Sequence, residues 1–534
     1  MPAEEGAEEE HEEGLLTGHA GTETEAAEPE ETPREVPSPS LPGYEREGDL
    51  ETLSELSEAP TENLANPGSQ SRWKPDMALF YPLLHSGRQT RCEAMLNLLN
   101  NLLGAGLLTM PKAMAEAGLI TGLAAMGIVA VANRYTLLQV LWMSHSVLSN
   151  EECSYPELGR HVFGQKGLIA VLVSYLVFTL GILSSYLIVL VDLLALTALR
   201  GAPRLLLVFF AVLMCTPAAL LRSLRHVALV SAVCMLGVGC LVVVLTSVSV
   251  RDVLSGDMEN APIEMAGNAG DVDLFRGDLR RFLSGTALFS LQFSVQAGGI
   301  EVLSRVDHGQ NEEAPNSMSS LLAAERISEV AFTLALFLSA TLGTAAYLRF
   351  GDKVAGNVLL DFNPSYAPLL VSWISYGFVV VCSFAFIMVP CRLAALDVLA
   401  LRRRDNPSIE SVPKERFMSL TAALLGVCAV VAWTVTDLSH VLKFVGVWAT
   451  MALAFVLPCS FLIELRRRQE GVSVFSSANL VDLVLIAFGL CVACAALLDL
   501  FAPSTPTPHR VFVPNMAEVG GTFPTSQVVL DPDA

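Results

Sequence analysis

The sequence predicts an all-α, polytopic membrane protein with about eleven transmembrane helices. Of its 534 residues, 52% are hydrophobic and the mean hydropathy is +0.51, which excludes an intrinsically disordered protein. Apolar runs of about 20 residues, the length that crosses a bilayer, recur between residues 92 and 501. The segments between these runs are too short to form a separate soluble domain.

The predicted spans follow one another closely along the chain. Residues 116–119 connect the first two spans, and residues 436–439 connect the ninth and tenth. The predicted spans lie at about residues 92–117, 119–147, 167–199, 204–221, 226–250, 280–303, 328–350, 367–397, 417–436, 440–464 and 478–501.

The acidic charge of the chain is concentrated at its N-terminus. Residues 1–70 contain 20 Asp and Glu but only two basic residues. Such a segment cannot bury enough apolar surface to fold alone, so residues 1–88 are predicted to be a disordered acidic tail. Lys and Arg are more frequent in the loops on the N-terminal side of the spans, which predicts a cytosolic N-terminus. The transmembrane domain is then predicted at residues 89–501, and an odd number of spans places the C-terminal tail, residues 502–534, on the luminal or exterior side.

The first predicted span contains residues that weaken an α-helix. Gly104 and Gly106 each cost about 1 kcal/mol relative to alanine in a helix, and Pro111 removes a further backbone donor. In a membrane, unpaired backbone groups occur only where they line a cavity or face protein. The pattern therefore predicts a discontinuous helix that offers backbone N–H and C=O groups to a solute. The alternative is that the small residues let a neighbouring helix pack closely.

The sixth predicted span has a second weak point at residues 296–299, which read Gln-Ala-Gly-Gly. Spans one and six begin two halves of five spans each, and because five is odd the halves have opposite orientations. Discontinuous helices at matching positions of inverted halves are typical of secondary-transporter sites. The N-terminus of a half-helix attracts a carboxylate, and exposed carbonyls coordinate a cation. Such a site suits a zwitterion such as an amino acid.

Four stretches of the chain resemble the amino acid/auxin permease family, which includes the sodium-coupled neutral and the vacuolar amino acid transporters. The likeness follows the chain in order over about residues 90–500. The four stretches are residues 97–111 (NLLNNLLGAGLLTMP), 346–360 (AYLRFGDKVAGNVLL), 389–392 (VPCR) and 437–458 (from DLSHVLKFVG to FVLP).

The resemblance implies a LeuT-like fold of two inverted five-helix repeats plus one extra helix, with discontinuous helices one and six. It also implies amino acid transport coupled to sodium or protons, a cation site at Asn100 and Ser383, and a backbone contact between residues 104–106 and the substrate carboxylate. The sodium-coupled members carry a Cys-His pair where this chain has residues 296–299, which leaves the choice of substrate open. The predicted substrate-binding residues are Asn97, Gly104, Ala105, Gly106, Ser294, Gln296, Ala297, Gly298 and Gly299.

Ionisable residues inside spans are costly, so each is a functional candidate. Glu301 follows the second weak point and is either a proton-coupling group or an interfacial carboxylate near Arg305, four residues further on. Asp192 in the third span has no local partner and is the second candidate for coupling. Lys112 and Glu116, also four residues apart, are predicted to form a structural ion pair.

These features predict a secondary active transporter that moves amino acids by cation-coupled alternating access, with substrate bound between spans one and six. The alternative is an amino-acid sensor that signals to a cytosolic partner through the acidic tail. No phosphate-binding loop, nucleophile–base set or metal-ligand spacing in the sequence indicates an enzyme, a cofactor, a metal site or a nucleic-acid partner. The sequence shows neither a disulfide framework nor a glycan acceptor, which favours a vacuolar or lysosomal membrane over the plasma membrane.

Overall fold

The structure is a computed structural model that describes residues 90–148, 154–221, 227–256, 270–304, 306, 318–363, 366–399 and 413–501. The predicted acidic tail, residues 1–88, and the predicted C-terminal tail, residues 502–534, lie outside these residues. The regular structure within them is helical, and they contain no β-strand.

The described helices follow the order of the predicted spans. Short 3₁₀- or π-helical pieces occur at Ala105–Thr109, Val358–Asp361, Gly446–Thr450 and Ala452–Val456. The α-helices are α1 (Arg91–Leu102), α2 (Met110–Ala117), α3 (Leu119–Val147), α4 (Tyr155–Leu196), α5 (Arg204–Ala219), α6 (Val227–Ser255), α7 (Leu279–Phe293), α8 (Gln296–Leu303), α9 (Met318–Phe350), α10 (Ala367–Val398), α11 (Lys414–Thr434), α12 (Leu438–Val445), α13 (Leu457–Gln469) and α14 (Leu480–Leu500).

The helices have the length and surface of a polytopic membrane protein. In the described part of the chain, eight helical segments are long and apolar enough to cross a membrane, and α5 is a shorter apolar helix. Large apolar side chains face outward: Val131 on α3 is 70% exposed and Phe337 on α9 is 65% exposed. Such a surface is unusual in water but matches lipid tails in a bilayer. The predicted class, an all-α polytopic membrane protein, is therefore confirmed.

The first predicted span consists of three pieces. The chain leaves the helix after α1, where Leu103 has φ −99° and ψ 47° and Gly104 has φ −81° and ψ −153°. A 3₁₀-helix then covers Ala105–Thr109 and runs into α2. Pro111 lies in the first turn of α2, where its missing N–H leaves no hydrogen bond broken. The interruption therefore comes from the glycine-containing stretch, and Pro111 starts the next helix.

The second interruption lies before the residues predicted to cause it. α7 ends at Phe293 and α8 starts at Gln296, so Ser294 and Val295 form the break. The prediction of a break at residues 296–299 was wrong, because Gly298 and Gly299 lie inside α8. A Cβ on Gly299 would lie 3.4 Å from Cδ1 of Leu98 on α1. The glycines thus serve close packing between helices, a role that the sequence offered for small residues in the first span.

The two interrupted segments lie side by side. α1 packs against α8 and α2 packs against α7, so each half of one segment contacts a half of the other. α3 packs against both segments, and α9 packs against the first and touches α7 through Ser339 and Phe332. α4 contacts the 3₁₀-helix at Ala105–Thr109 and packs extensively against α10. The two breaks are therefore enclosed by protein, one of the surroundings in which bare backbone groups are tolerated at membrane depth.

Candidate functional site

The first interruption presents polar backbone in the protein interior. Ala105 and Gly106 are buried, and the carbonyl of Gly104 accepts a hydrogen bond from Oη of Tyr376 on α10 at 3.2 Å. The hydroxyl of Thr109 donates to the carbonyl of Gly106 at 2.8 Å. These contacts use carbonyl groups, whereas the first N–H groups of a helix have no partner within that helix. The backbone N–H groups at the start of the 3₁₀-helix are therefore available to a hydrogen-bond acceptor.

Two tyrosines approach this interruption from α4 and α10. Oη of Tyr186 on α4 would lie 3.0 Å from a Cβ built on Gly104. Tyr376 reaches Gly104 from the same helix as Ser383. The sequence named the glycine and the serine but did not assign the tyrosines to the site. The available signal was a hydroxyl-bearing aromatic residue placed within an apolar span.

The side chain of Gln296 is fixed by the protein at the second interruption. Its amide nitrogen donates to Oδ1 of Asn133 at 3.2 Å and to Oγ1 of Thr136 at 3.0 Å, both on α3. Its amide oxygen accepts from Oγ of Ser294 at 3.0 Å. The side chain of Gln296 is fully buried, so these bonds tie the start of α8 to α3. Asn133 and Thr136, three residues apart, were missing from the predicted site.

The two interruptions contact each other through Gln292 near the end of α7. A Cβ on Gly106 would collide with Oε1 of Gln292. The amide nitrogen of Gln292 donates to Oγ of Ser339 at 3.2 Å, but Oε1 is buried and has no hydrogen-bond partner among the described residues. A buried amide oxygen without a partner is costly. It is therefore a natural place for a donor that the protein itself does not supply, such as an ammonium group.

The remaining predicted binding residues lie in the same region. Asn97 and Asn100 on α1 are 4% and 6% exposed, and Ser383 is 5% exposed. Asn100 has no hydrogen-bond partner among the described residues, so its amide oxygen is available to a ligand. Gly298 lies on the face of α8 that approaches α1, where its Cβ would be 3.6 Å from Nδ2 of Asn101. Ala297 lies on α8, but its side chain is outside the described part.

Of the two predicted coupling residues, the structure describes the side chain of Asp192. Asp192 on α4 is 8% exposed, and its Oδ2 accepts a hydrogen bond from Nδ2 of Asn357 at 2.8 Å. Asn357 precedes the 3₁₀-helix Val358–Asp361, which contacts the first interruption. Asp192 is thus buried on the same helix as Tyr186 and is bonded to the residue that precedes this 3₁₀-helix. Glu301 lies on α8, but its side chain is outside the described residues.

The predicted pairing of Lys112 with Glu116 was wrong. Oε1 of Glu116 contacts Nζ of Lys443 on α12 at 2.6 Å, and the same Nζ contacts Oδ2 of Asp499 on α14 at 2.9 Å. Ser284 on α7 donates to the same oxygen of Asp499 at 2.8 Å. A tertiary contact with a buried lysine replaces the local pair, because Lys443 would otherwise carry an uncompensated charge. We call Glu116, Lys443 and Asp499 the Lys443 cluster.

Asp437 holds the start of α12, which carries Lys443. Its Oδ1 accepts hydrogen bonds from the backbone N–H of Ser439 at 2.8 Å and from its hydroxyl at 2.9 Å, and its Oδ2 lies 3.2 Å from Nδ1 of His440. Burial acts to raise the pKa of Asp437, but the bonds to His440 and Ser439 outweigh it and lower the pKa to about 2. The carboxyl therefore stays charged in neutral and acidic compartments and keeps its role as an N-cap.

A family profile and several known proteins match this chain. The profile, described as "Transmembrane amino acid transporter protein", matches residues 87–502. Amino acid transporter AVT6C of Arabidopsis thaliana is 25% identical over 428 residues, which cover 75% of this chain and 91% of that protein. Vacuolar amino acid transporter 5 of Schizosaccharomyces pombe is 23% identical over 389 residues, 71% of this chain and 85% of that protein. Solute carrier family 38 member 10 of Rattus norvegicus is 24% identical over 388 residues, 68% of this chain and 32% of that protein. Because the profile spans most of its length, the chain belongs to the transmembrane amino acid transporter family.

Proposed function

We propose that this protein moves amino acids across a membrane as a secondary active transporter. The observation that carries the proposal is the contact between the two helix interruptions, where Gly106 meets the unpartnered amide oxygen of Gln292. Its family consists of transporters rather than enzymes, and its relatives are named as amino acid transporters. A zwitterion fits this arrangement because the interrupted segments offer both donors and acceptors away from water.

The substrate lies between the two interruptions in this proposal. Its carboxylate accepts hydrogen bonds from the backbone N–H groups at Ala105 and Gly106, where the 3₁₀-helix begins. Its ammonium group donates to Oε1 of Gln292. Tyr186 and Tyr376 close the region from α4 and α10. Gln296 orients α8 through α3 and acts on the substrate indirectly.

The proposed architecture is a LeuT-like pair of inverted five-helix repeats with one further helix. The eight long apolar segments, the shorter helix α5 and the two interrupted segments together make eleven spans. The interrupted segments are then the first and sixth spans, which begin the two repeats. Alternating access follows from one group of helices rocking against the other around a fixed site. The loop charges favour a cytosolic N-terminus, and the vacuolar relatives favour an organelle membrane.

Coupling to a cation is part of the same proposal. Asn100 offers an amide oxygen and Ser383 a hydroxyl oxygen, both buried, and neutral oxygen ligands of this kind suit a hard cation such as sodium. Asp192 is the proton-carrying candidate, because a buried carboxylate with a single amide partner can exist in both protonation states. In the proposal, occupancy of this site stabilises the 3₁₀-helix against which substrate binds.

The test compares two glycine-to-alanine variants inside the membrane domain. Gly106→Ala places a methyl group against Gln292, whereas Gly127→Ala on α3 adds a methyl group with nothing within 4 Å. The purified variants are reconstituted in liposomes, and counterflow of a panel of labelled amino acids is measured while sodium and pH are varied separately. We expect the wild type and Gly127→Ala to exchange at least one amino acid and Gly106→Ala to lose that exchange. Counterflow of no amino acid by the wild type would refute the proposal.

A further inference from the structure

A cavity lined by charged side chains opens at the end of the bundle where α2 and α14 end and α7 begins. Its volume is about 160 Å³, room for a few water molecules at ~30 Å³ each, and hence for a solute the size of a small amino acid. We call it the charged mouth. It is lined by Lys112, Ala115, Glu116, Arg276, Arg281, Asp352 and Asp499.

Most of the charged groups in the mouth already have protein partners. Arg276 donates to the carbonyl of Ala115 at 2.7 Å and contacts Asp273 at 3.1 Å. Arg281 lies 3.6 Å from Asp278. Asp499 is held by Lys443 and Ser284, as described for the Lys443 cluster. These groups therefore build the wall of the mouth.

Three groups in the mouth are left without a partner among the described residues: Oε2 of Glu116, the ammonium group of Lys112 and the carboxylate of Asp352. Oε2 of Glu116 is buried and accepts no hydrogen bond, because only Oε1 is used by Lys443. Lys112 makes no hydrogen bond or ion pair within that part of the chain. The two residues are four apart on α2, which places their Cβ atoms about 5–6 Å from each other. The wall therefore offers one unused cationic donor, on Lys112, with an unused acceptor on Glu116 beside it and a second anionic acceptor on Asp352.

We propose that the charged mouth is a second binding site, which takes a small zwitterionic amino acid before it reaches the interruptions. The ammonium group of the solute donates to Oε2 of Glu116, and its carboxylate accepts from Nζ of Lys112. This inference rests on the proposed transport function and adds a site to it.

The charge balance of the wall favours a zwitterion over a simple ion. Three cationic and three anionic side chains line the mouth, so an ion of either sign meets as much repulsion as attraction. A zwitterion places each of its charges against the opposite partner, and charge-assisted hydrogen bonds are stronger than neutral ones. It also completes the i,i+4 pair that the protein leaves open when Glu116 turns toward Lys443.

The experiment separates the two sites by one variant for each. Full-length protein in lipid nanodiscs is titrated with radiolabelled alanine at equilibrium. Lys112→Gln removes the charge of the mouth, and Gly106→Ala blocks the interruptions. Arg467→Gln is the matched control, because it removes an exposed cation on α13 that contacts Glu464 and lies outside the mouth. Thermal unfolding of each variant checks that the fold is kept.

We expect alanine binding that depends on Lys112 and persists in Gly106→Ala, with affinity at least about tenfold weaker in Lys112→Gln. Arg467→Gln should bind as the wild type does. Equal binding by the wild type and Lys112→Gln, or no binding of alanine to either protein, would overturn the inference. Displacement of the Lys112-dependent binding by sodium chloride at the same concentration as alanine would also overturn it, because a simple ion would then fill the mouth. Counterflow of the amino acid panel tests the proposed function separately, because that function does not depend on the charged mouth.

Discussion

Replacing Lys443 by methionine should destabilise the protein strongly. Nζ of Lys443 joins Glu116 on α2 to Asp499 on α14, at 2.6 and 2.9 Å. The three side chains are only 9%, 12% and 19% exposed. Methionine keeps the length of the side chain but removes its charge, so two buried carboxylates lose their cation while the packing stays similar.

The expected magnitude follows from these distances. At an effective dielectric constant of about 20, each contact contributes about 6 kcal/mol of attraction before desolvation is counted. Taking the ammonium group out of water costs several kcal/mol, which offsets much of this attraction. Removing one partner of such a buried pair costs about 3–5 kcal/mol, a large part of the total stability of a domain. We expect a loss of that size for Lys443→Met.

The assay is equilibrium unfolding of the detergent-solubilised protein, followed by tryptophan fluorescence. Lys443→Arg is the control that keeps the charge. The triple variant Glu116→Gln, Lys443→Met, Asp499→Asn removes all the charges of the Lys443 cluster and should recover most of the loss, because no buried carboxylate is then unpaired. A single Lys443→Met variant within about 0.5 kcal/mol of the wild type, or a triple variant less stable than the single one, would contradict the reasoning.

Three further predictions concern the site and the cap of α12. In Gly106→Ala the added methyl group overpacks the contact with Gln292 at a cost of about 1–3 kcal/mol, so Gln292→Ala in the same protein should restore thermal stability; an additive loss in the double variant would show that the two residues do not meet. Asp192→Asn should keep the fold and abolish the pH dependence of amino acid uptake in liposomes at fixed sodium, and unchanged pH dependence would exclude Asp192 as the proton carrier. The lowered pKa of Asp437, to about 2, means that its contribution is complete above its unfolded value near pH 4 and is lost as the pH falls toward 2. Acid titration of stability should therefore show a loss of roughly 1 kcal/mol between pH 4 and 2, reduced by solvent screening, which is absent in Asp437→Asn; a variant with the same acid titration as the wild type would contradict this assignment.

The lengths of the apolar runs predicted the helix bounds well because hydropathy is a local property of the sequence. The second predicted span, residues 119–147, coincides with α3 at Leu119–Val147. The start of α4 differs more: the prediction begins at residue 167, whereas the helix begins at Tyr155 and passes through non-helical angles at Phe163 and Gly164. The residues before Gly164 are polar enough to lie at a membrane surface, and a search for apolar runs omits such a segment.

Paired residues were harder to predict because their partners lie far along the chain. Glu116 contacts Lys443, 327 residues away, and Asp192 contacts Asn357, 165 residues away. An i,i+4 rule compares only neighbours on one helix, and its pairs contribute about 0.2–0.5 kcal/mol. Leaving a buried lysine unpaired costs several times that free energy. Glu116 therefore pairs with Lys443 and not with Lys112, and Lys112 is left without its expected partner in the charged mouth.

The two glycine pairs adopt different backbone structures in the two interrupted segments. A glycine pair in an apolar span therefore does not by itself predict where the helix breaks. Gly104 and Gly106 leave the helix, and their backbone faces Tyr186, Tyr376 and Gln292. Gly298 and Gly299 stay helical and let α8 approach α1. The difference is in the polar side chains that surround each break: Gln296 anchors α8 to α3 by three described hydrogen bonds, which holds the helix in place directly after Val295. The amide oxygen of Gln292, about one turn earlier on α7, has no hydrogen-bond partner among the described residues, and for that reason we propose it as an acceptor for the substrate's ammonium group.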